Sequence, residues 1–422
     1  MVATPRWPVP TNNRLGSVLG HLRPSAAAPT AGSCSDDMRR RIKIGVLGAG
    51  RGRSFMNVAD AVGFELVAIC DNWPEKLAAA GTDLGCSVTS YAGYDAFLRH
   101  PGLEAVILCN FFHEHAPFAI RALEAGMHVM SECAACGTLA EGVALTRAVE
   151  RSGKIYMFAE NYPYMAYNQE MKRLYEEGAV GSFRYGEGEY VHPDPAVVKL
   201  ARSVGTNHWR NWMPATYYCT HALAPVMFIT DTRPVKVNGF VVPSDPDDRS
   251  HTLSGDRRDV AGPIICRMDN GAVVKLLQGA LRGHGNYTRI HGNQGLMESL
   301  RSNPSNRLRV LRELWEDEVD PEQPASKAQP ASGETVYTPQ FPAEYSEAGR
   351  TGHGGGDFFT SHHFAEAIRS GQQPFLDVYR GVSMSIVGIL AWRSALNDRW
   401  VVCTTTNSAQ PPIFSLIHFV SL

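Results

Sequence analysis

The chain has 422 residues, which at roughly 150 residues per domain makes two or three domains. Hydrophobic residues supply 44% and charged residues 19%, enough for sizeable buried cores, which excludes a disordered, collagen-like or disulfide-stapled chain. Forty Lys and Arg against 42 Asp and Glu leave a formal net charge of −2, too balanced for a general nucleic-acid or membrane-surface binder, and no apolar run approaches the ~20 residues that span a bilayer. The expectation is a soluble globular chain without nucleic-acid or membrane partners.

Nine cysteines, several of them inside apolar runs (Cys70, Cys109, Cys266), read as buried free thiols in a reducing compartment, which suits a cytoplasmic location. Cys133 and Cys136 form one CxxC with no second pair, so no metal set is expected from spacing. Residues 1–40 are rich in Pro, Ala, Ser and Gly, and three arginines but no acid precede Asp36. They read as a disordered extension ahead of a natural start near Met38; the same composition leaves organellar import open.

Ordered structure is expected from Ile42. Residues 42–47 (IKIGVL) form an apolar run of the buried-parallel-strand kind, followed by a Gly-rich turn, a helix over 53–62 and a second strand over 65–70. The alternation continues with a helix at 74–84, a strand at 105–109, a helix at 115–125, a strand at 128–130, a helix at 139–152 and a strand at 155–159. Strands and helices taking turns in this way imply a parallel, doubly wound sheet over residues 41–160.

The pattern changes after Glu160. A helix at 167–177 precedes alternating runs at 185–191, 235–242, 264–268, 272–278, 287–291 and 307–314, which read as a mostly antiparallel sheet with one open face. Polar loops are expected at 244–258 and 317–335, and helices at 358–370 and 382–396. The fold class is therefore α/β: a nucleotide-type domain at 41–160, then an α+β domain at 161–398. The tail at 399–422 shows no charge pattern or clear periodicity.

The sharpest motif is Gly45-Val-Leu-Gly48-Ala-Gly50-Arg51-Gly52, between a strand and a helix. Gly48 allows the tight turn, and Gly50 lets the backbone approach a pyrophosphate at the helix N-terminus. The third glycine of the usual spacing falls at Arg53, and Gly52, one residue earlier, takes part of its role. Asp71 ends the second strand about 20 residues on, where a carboxylate binds a ribose 2′-hydroxyl and repels a 2′-phosphate, so NAD is preferred over NADP.

On the substrate side, polar and aromatic residues cluster in Ser131–Ala135, Glu160–Tyr164, Gly188–His192, His208–Trp212 and Tyr217–His221. With a helix starting near Thr220, His221 lies in its first turn, where the dipole favours a neutral imidazole base, and Tyr218 stands three residues earlier. Aromatics and arginine beside polar groups suit a sugar, so His192, Trp209 and Arg210 are its expected contacts.

These residues resemble, in order from about Arg41 to Asn397, the Gfo/Idh/MocA oxidoreductases, a Rossmann domain joined to an open-faced α/β domain. Gly48-Ala-Gly50-Arg51-Gly52 resembles the family's dinucleotide loop. His115 is similar to the histidine that opens the helix after the fourth strand, and Ala125-Gly126-Met127-His128-Val129 to the stretch ahead of the family's Glu-Lys-Pro motif. Here that motif reads Glu132-Cys133-Ala134, without the lysine, and Tyr217 stands where many dehydrogenases carry an aspartate. Both departures resemble one branch, glycoside hydrolase family 109. Glu160-Asn161-x-x-Tyr164, Tyr190-Val-His192, Tyr218-x-Thr220-His221-x-Leu-x-Pro225 and His353-Gly-Gly-Gly-Asp357 are similar to that branch's segments, although Cys219 replaces its proline.

The resemblance implies NAD-linked chemistry on a carbohydrate in a homo-oligomer. In the branch's form, hydride leaves a sugar C3, the acidified C2 proton is lost, the C1 substituent is eliminated, water adds and the hydride returns. It implies His221, Tyr218 and Tyr164 as the catalytic group, Arg51, His115, Glu132 and Asn161 on the cofactor side, and His353 among the substrate contacts. A dehydrogenase, a redox-neutral glycosidase and a non-catalytic NAD-binding protein are the three readings left open.

Overall fold

The structure is a computed structural model and describes residues 40–83, 88–193, 196–203, 208–245, 259–283, 285–301, 306–314, 331–397 and 401–402. The reading of residues 1–39 lies outside them. Six strands, β1 (Ile42–Leu47), β2 (Phe64–Cys70), β3 (Thr89–Tyr91), β4 (Ala105–Leu108), β5 (His128–Ser131) and β6 (Tyr156–Phe158), form a parallel sheet in the order β3-β2-β1-β4-β5-β6. That is the doubly wound order, whose crevice opens at the carboxyl ends of β1 and β4. Ile44, Val46, Ile107, Leu108, Val129 and Met130 are fully buried, so these strands read as unbroken apolar runs. The exception is β3, which carries exposed Thr89 and Ser90 and gave no such signal.

The helices between the strands are α1 (Arg53–Val58), α2 (Pro74–Asp83), α3 (Tyr94–Leu98), α4 (His115–Glu124) and α5 (Leu139–Ser152). The start of α5 is fixed by a capping box in which the Thr138 hydroxyl accepts from the Glu141 amide and Glu141 reaches back to the Thr138 amide.

Beyond β6 come α6 (Ala166–Glu176), β7 (Phe183–Val191), α7 (Ala196–Arg202), α8 (Thr220–Thr230), β8 (Pro234–Gly239), β9 (Val242–Pro243), β10 (Asp259–Met268), β11 (Val273–Gly279) and β12 (Gly285–Gly292). β13 (Gly295–Ser299), β14 (Leu308–Leu314), β15 (Ala331–Tyr337), α9 (Gly356–Ser370), α10 (Val378–Asn397) and β16 (Val401–Val402) follow. The second sheet runs β15-β14-β13-β12-β7-β11-β10-β8-β16, with β9 on β10, and every pairing is antiparallel except β7 with β11.

Two expectations are corrected. The stretch expected as a polar loop to residue 335 ends in β15, held by its pairing with β14, and β13 joins β12 and β14 at positions where no strand was expected. The tail likewise contributes Val401 and Val402 as a short edge strand on β8.

α8 (THALAPVMFIT) is buried at every residue, as an all-round apolar helix must be. It lies on β7, β11 and β12, and the approach is close: a methyl at Gly188 of β7 would sit 1.9 Å from the Ala222 carbonyl oxygen. The last two helices return to the first sheet. Arg369 of α9 donates to the Val62 carbonyl at 3.2 Å, the Phe158 amide of β6 donates to the Leu376 carbonyl at 2.8 Å, and the Ala135 amide donates to Ser385 Oγ of α10 at 2.9 Å. Among the described residues no helix is long and apolar enough to cross a membrane.

Candidate active site

The glycine loop follows β1. Gly48 has φ +93°, and a side chain there would meet the Cys109 carbonyl oxygen at 2.4 Å; a Cβ on Gly52 would meet Gly48 O and Val46 Cγ1, both at 2.4 Å. Gly52 thus provides the close helix–strand packing that the usual third glycine provides. A Cβ on Gly50 would meet nothing nearer than Lys76 Nζ at 3.5 Å, which leaves that face of the loop open to a ligand. Asp71 accepts from the Ala49 amide at 2.8 Å and the Trp73 amide at 2.9 Å. Its carboxylate therefore fixes the loop and keeps lone pairs for a further hydroxyl.

Arg51 turns into the protein. Its Nε lies 2.6 Å from Glu132 Oε1, and its two terminal nitrogens lie 2.8 and 3.1 Å from the Asp357 carboxylate. Asp357 also accepts from Asn161 Nδ2 at 2.9 Å and pairs with His353 Nδ1 at 2.9 Å. Arg51, Glu132, Asn161 and His353 thus meet around Asp357, at the start of α9. Burial alone would raise the Asp357 carboxyl, but the hydrogen bond from His353 and the Arg51 charge hold it well below the usual carboxylate range.

His115 opens α4 with both ring nitrogens on backbone carbonyls, Nδ1 2.9 Å from Ala134 O and Nε2 3.3 Å from Asn110 O. Burial lowers its affinity for a proton. A neutral ring has one N–H and donates to only one of these carbonyls; at the shorter contact, Nδ1 to Ala134 O, it ties the start of α4 to the loop after β5.

A second group forms around His221 in the first turn of α8. Nδ1 lies 2.5 Å from Glu160 Oε1, with both residues buried. A carboxylate there accepts, so Nδ1 holds the hydrogen and Nε2 keeps its lone pair. The rings of Tyr162, Tyr190 and Tyr218 surround the imidazole at centroid distances of 4.7, 4.6 and 4.7 Å. Burial pushes the Tyr162 and Tyr218 phenols well above their ordinary value, so both stay protonated and donate rather than act as bases. His192 stacks on Tyr190, and Trp209 lies between Phe112 and Tyr218 with the Arg210 guanidinium 4.2 Å over its ring. Asn286 of β12 donates to the Tyr162 hydroxyl at 3.1 Å.

Cys133 links the two groups. Its Sγ is 3.7 Å from Glu132 Oε2 and 3.8 Å from His221 Nε2.

Tyr164 is not brought to His221. Tyr162 and Tyr164 share one 3₁₀ turn, in which residues two apart point about 240° from each other. Tyr162 faces the imidazole, whereas Tyr164 packs on Phe228 and His363, with ring centroids 5.5 and 4.7 Å away. His353 likewise belongs to the Asp357 group and not to the aromatic cleft. Sequence reasoning missed Glu160 as the partner of His221 and Tyr162 as the ring beside it. Both stand in the Glu160–Tyr164 segment it had marked.

Residues 42–160 match the Gfo/Idh/MocA model, described as an oxidoreductase family with an NAD-binding Rossmann fold, and residues 255–403 match the C-terminal domain of glycosyl hydrolase 109. A glycosyl hydrolase family 109 protein of Akkermansia muciniphila is 28% identical over 387 residues, 84% of this chain and 80% of that protein. One from Saccharopolyspora erythraea is 24% identical over 378 residues, 82% and 78% of the two chains. Among solved structures, a levoglucosan dehydrogenase in complex with NADH and levoglucosan aligns at TM-score 0.70 and 20% identity, over 86% of this chain and 99% of that one. A myo-inositol 2-dehydrogenase from Lactobacillus plantarum aligns at 0.65 and 17%, over 86% and 100%. These two structural likenesses establish the fold.

Proposed function

We propose, starting from a chain that belongs to the Gfo/Idh/MocA oxidoreductases and carries the glycosyl hydrolase 109 C-terminal domain, that it oxidises a ring carbinol of a sugar with NAD, using His221 as the base. The observation that carries this reading is the buried Glu160–His221 pair, 2.5 Å apart and ringed by protonated tyrosines, beside the crevice of a dinucleotide-type sheet. The Gly48–Gly52 loop fits the group: its open face at Gly50 accepts a pyrophosphate, and Asp71 accepts a ribose hydroxyl. When bound, NAD supplies the hydride acceptor.

The chain's own residues do the rest. His221 Nε2 takes the hydroxyl proton, because a carbinol gives up hydride readily only as its O–H is lost. Glu160 holds the ring in the tautomer with Nε2 free and stabilises the imidazolium that forms, a positioning role. Tyr218 and Tyr162 donate to sugar oxygens, and Tyr190, His192 and Trp209 offer ring faces to the C–H surface of the sugar. Arg210, over Trp209, offers donors at the rim. Asp357, Arg51, Glu132 and Asn161 hold the glycine loop against α9.

A second reading has its own support. Cys133 stands where the ordinary family motif has lysine, and the C-terminal match is to a hydrolase branch, which favours a redox-neutral cycle that cleaves a glycoside and returns the hydride. One experiment separates the readings: chromogenic glycosides with substoichiometric NAD, following leaving-group release and NADH together. Many turnovers of release without NADH mean the redox-neutral glycosidase. NADH from free sugars or polyols once NAD is in excess, without bond cleavage, means the dehydrogenase. Silence in both channels, with NAD bound, rejects the catalytic assignment.

A further inference from the structure

Lys76 stands in the first turn of α2, and its ammonium lies 4.3 Å over the ring of Trp73, three residues earlier. A long side chain on a helix leans back over the preceding turn, which carries this one toward the glycine loop. The same Nζ is 3.5 Å from the place where a Cβ on Gly50 would stand, the nearest atom that such a Cβ would meet. Asp71 sets the distance between the indole and the loop, because its carboxylate takes both the Trp73 amide at 2.9 Å and the Ala49 amide at 2.8 Å. The cation on Trp73 therefore hangs over the open face of the loop.

A pyrophosphate is doubly negative, and it needs charge to meet it once the crevice takes away part of its hydration. The loop's own arginine does not supply that charge. Arg51 points inward, 2.6 Å from a Glu132 oxygen and 2.8 and 3.1 Å from the Asp357 carboxylate. The helix after the loop, α1, has only six residues and offers little dipole. His208 adds none either: burial, then the charges of Arg210 and Lys76, bring its imidazole down to about 4, so the ring is neutral near pH 7. Among the described residues Lys76 has no salt-bridge partner, so its charge is unspent.

We propose, on the reading that NAD occupies the crevice, that Lys76 is the cation that meets its pyrophosphate, and that Trp73 holds the ammonium in place through its ring face. Trp73 is then a positioning residue. The flexible stem of Lys76 lets the ammonium keep the indole while it donates to a phosphate oxygen. Two residues five apart divide the work: the Asp71 carboxylate selects the ribose, and the Lys76 ammonium holds the phosphates.

Equilibrium binding to the full chain, freed of carried-over nucleotide and without sugar, tests this independently of any turnover. NAD, ADP-ribose and NADP are each titrated at low salt. Lys76→Ala should weaken all three by about 30-fold, the size of one charge-assisted hydrogen bond, and the loss should shrink as salt is raised. Lys76→Arg should restore most of the affinity. Trp73→Leu should cost about tenfold in the wild-type background and nothing further beside Lys76→Ala, as a residue acting through the lysine must. Both side chains are exposed, so unchanged urea unfolding serves as the folding control. Loss confined to NADP means that the lysine reads a 2′-phosphate, and loss confined to NAD means that it acts at the nicotinamide end; either overturns the proposal. NAD bound equally by wild type and Lys76→Ala overturns it and leaves the cofactor reading standing, whereas a wild type that binds no NAD overturns both. A full Trp73→Leu cost in the Lys76→Ala background overturns the positioning role.

Discussion

The groups around Asp357 and around His221 lie next to each other, joined through Glu132 and Cys133, yet they treat their polar atoms in opposite ways. Around Asp357 charge meets charge: Arg51 is held between two carboxylates, and the carboxylate of Asp357 is met by Arg51, Asn161 and His353. Around His221 the neighbours are aromatic rings, and Glu160 keeps an oxygen without a partner. The first group answers its charges, although Asn161 Oδ1 there has no hydrogen-bond partner, while the second leaves a carboxylate oxygen unmet, a demand that a ligand or proton satisfies. The first group serves as a fastening and the second is poised to react.

The comparison breaks most visibly at the imidazole. His221→Ala should lower turnover about 10³-fold, roughly 4 kcal/mol of transition-state stabilisation, with NAD affinity nearly unchanged; calorimetric NAD titration beside steady-state kinetics checks both halves. Should NAD binding collapse with turnover, the two groups are not functionally separate.

At the fastening the loss should appear as stability. Asp357→Asn leaves Arg51 short of a charge partner and should cost about 3 kcal/mol, measured by urea unfolding. Because the Asp357 carboxyl is held below its unfolded value, its contribution is fully present above about pH 4 and fades only as pH falls through the folded value. The wild-type and Asp357→Asn unfolding free energies should therefore differ by a constant amount from pH 7 to about pH 4 and converge below it.

Glu160→Gln sharpens the contrast. The amide keeps the shape but no longer stabilises an imidazolium, so kcat should fall about 10²-fold with KM little changed, a split that simple loss of packing does not produce. The smallest effect is expected at Asp71→Ala, about tenfold weaker NAD binding with relaxed discrimination against NADP, read by titrating both cofactors.

Features set by short-range rules were legible in the sequence. The glycine turn, the apolar strands and the placing of His221 in a helix's first turn each need only a dozen neighbouring residues. What escaped depended on distance or on rotation about an axis. Glu160 and His221 are 61 residues apart in the chain, and nothing in either segment announces the bond between them. Tyr164 was favoured over Tyr162 because a motif carries positions, whereas the 3₁₀ turn decides which ring faces the cleft. β13 and β15 escaped because their pairing with β14, and not an intrinsic apolar pattern, makes them strands.

The return of α9 and α10 to the first sheet bears on how the protein is made. The Phe158 amide waits for Leu376, the Ala135 amide for Ser385, and the Arg51 guanidinium for Asp357. A ribosome delivers these partners some 200 to 300 residues later, at roughly 5–20 residues per second, so the dinucleotide half spends tens of seconds with its last strand and glycine loop incompletely bonded. The half synthesised first is completed last, and quality control during translation sees it in that unfinished state.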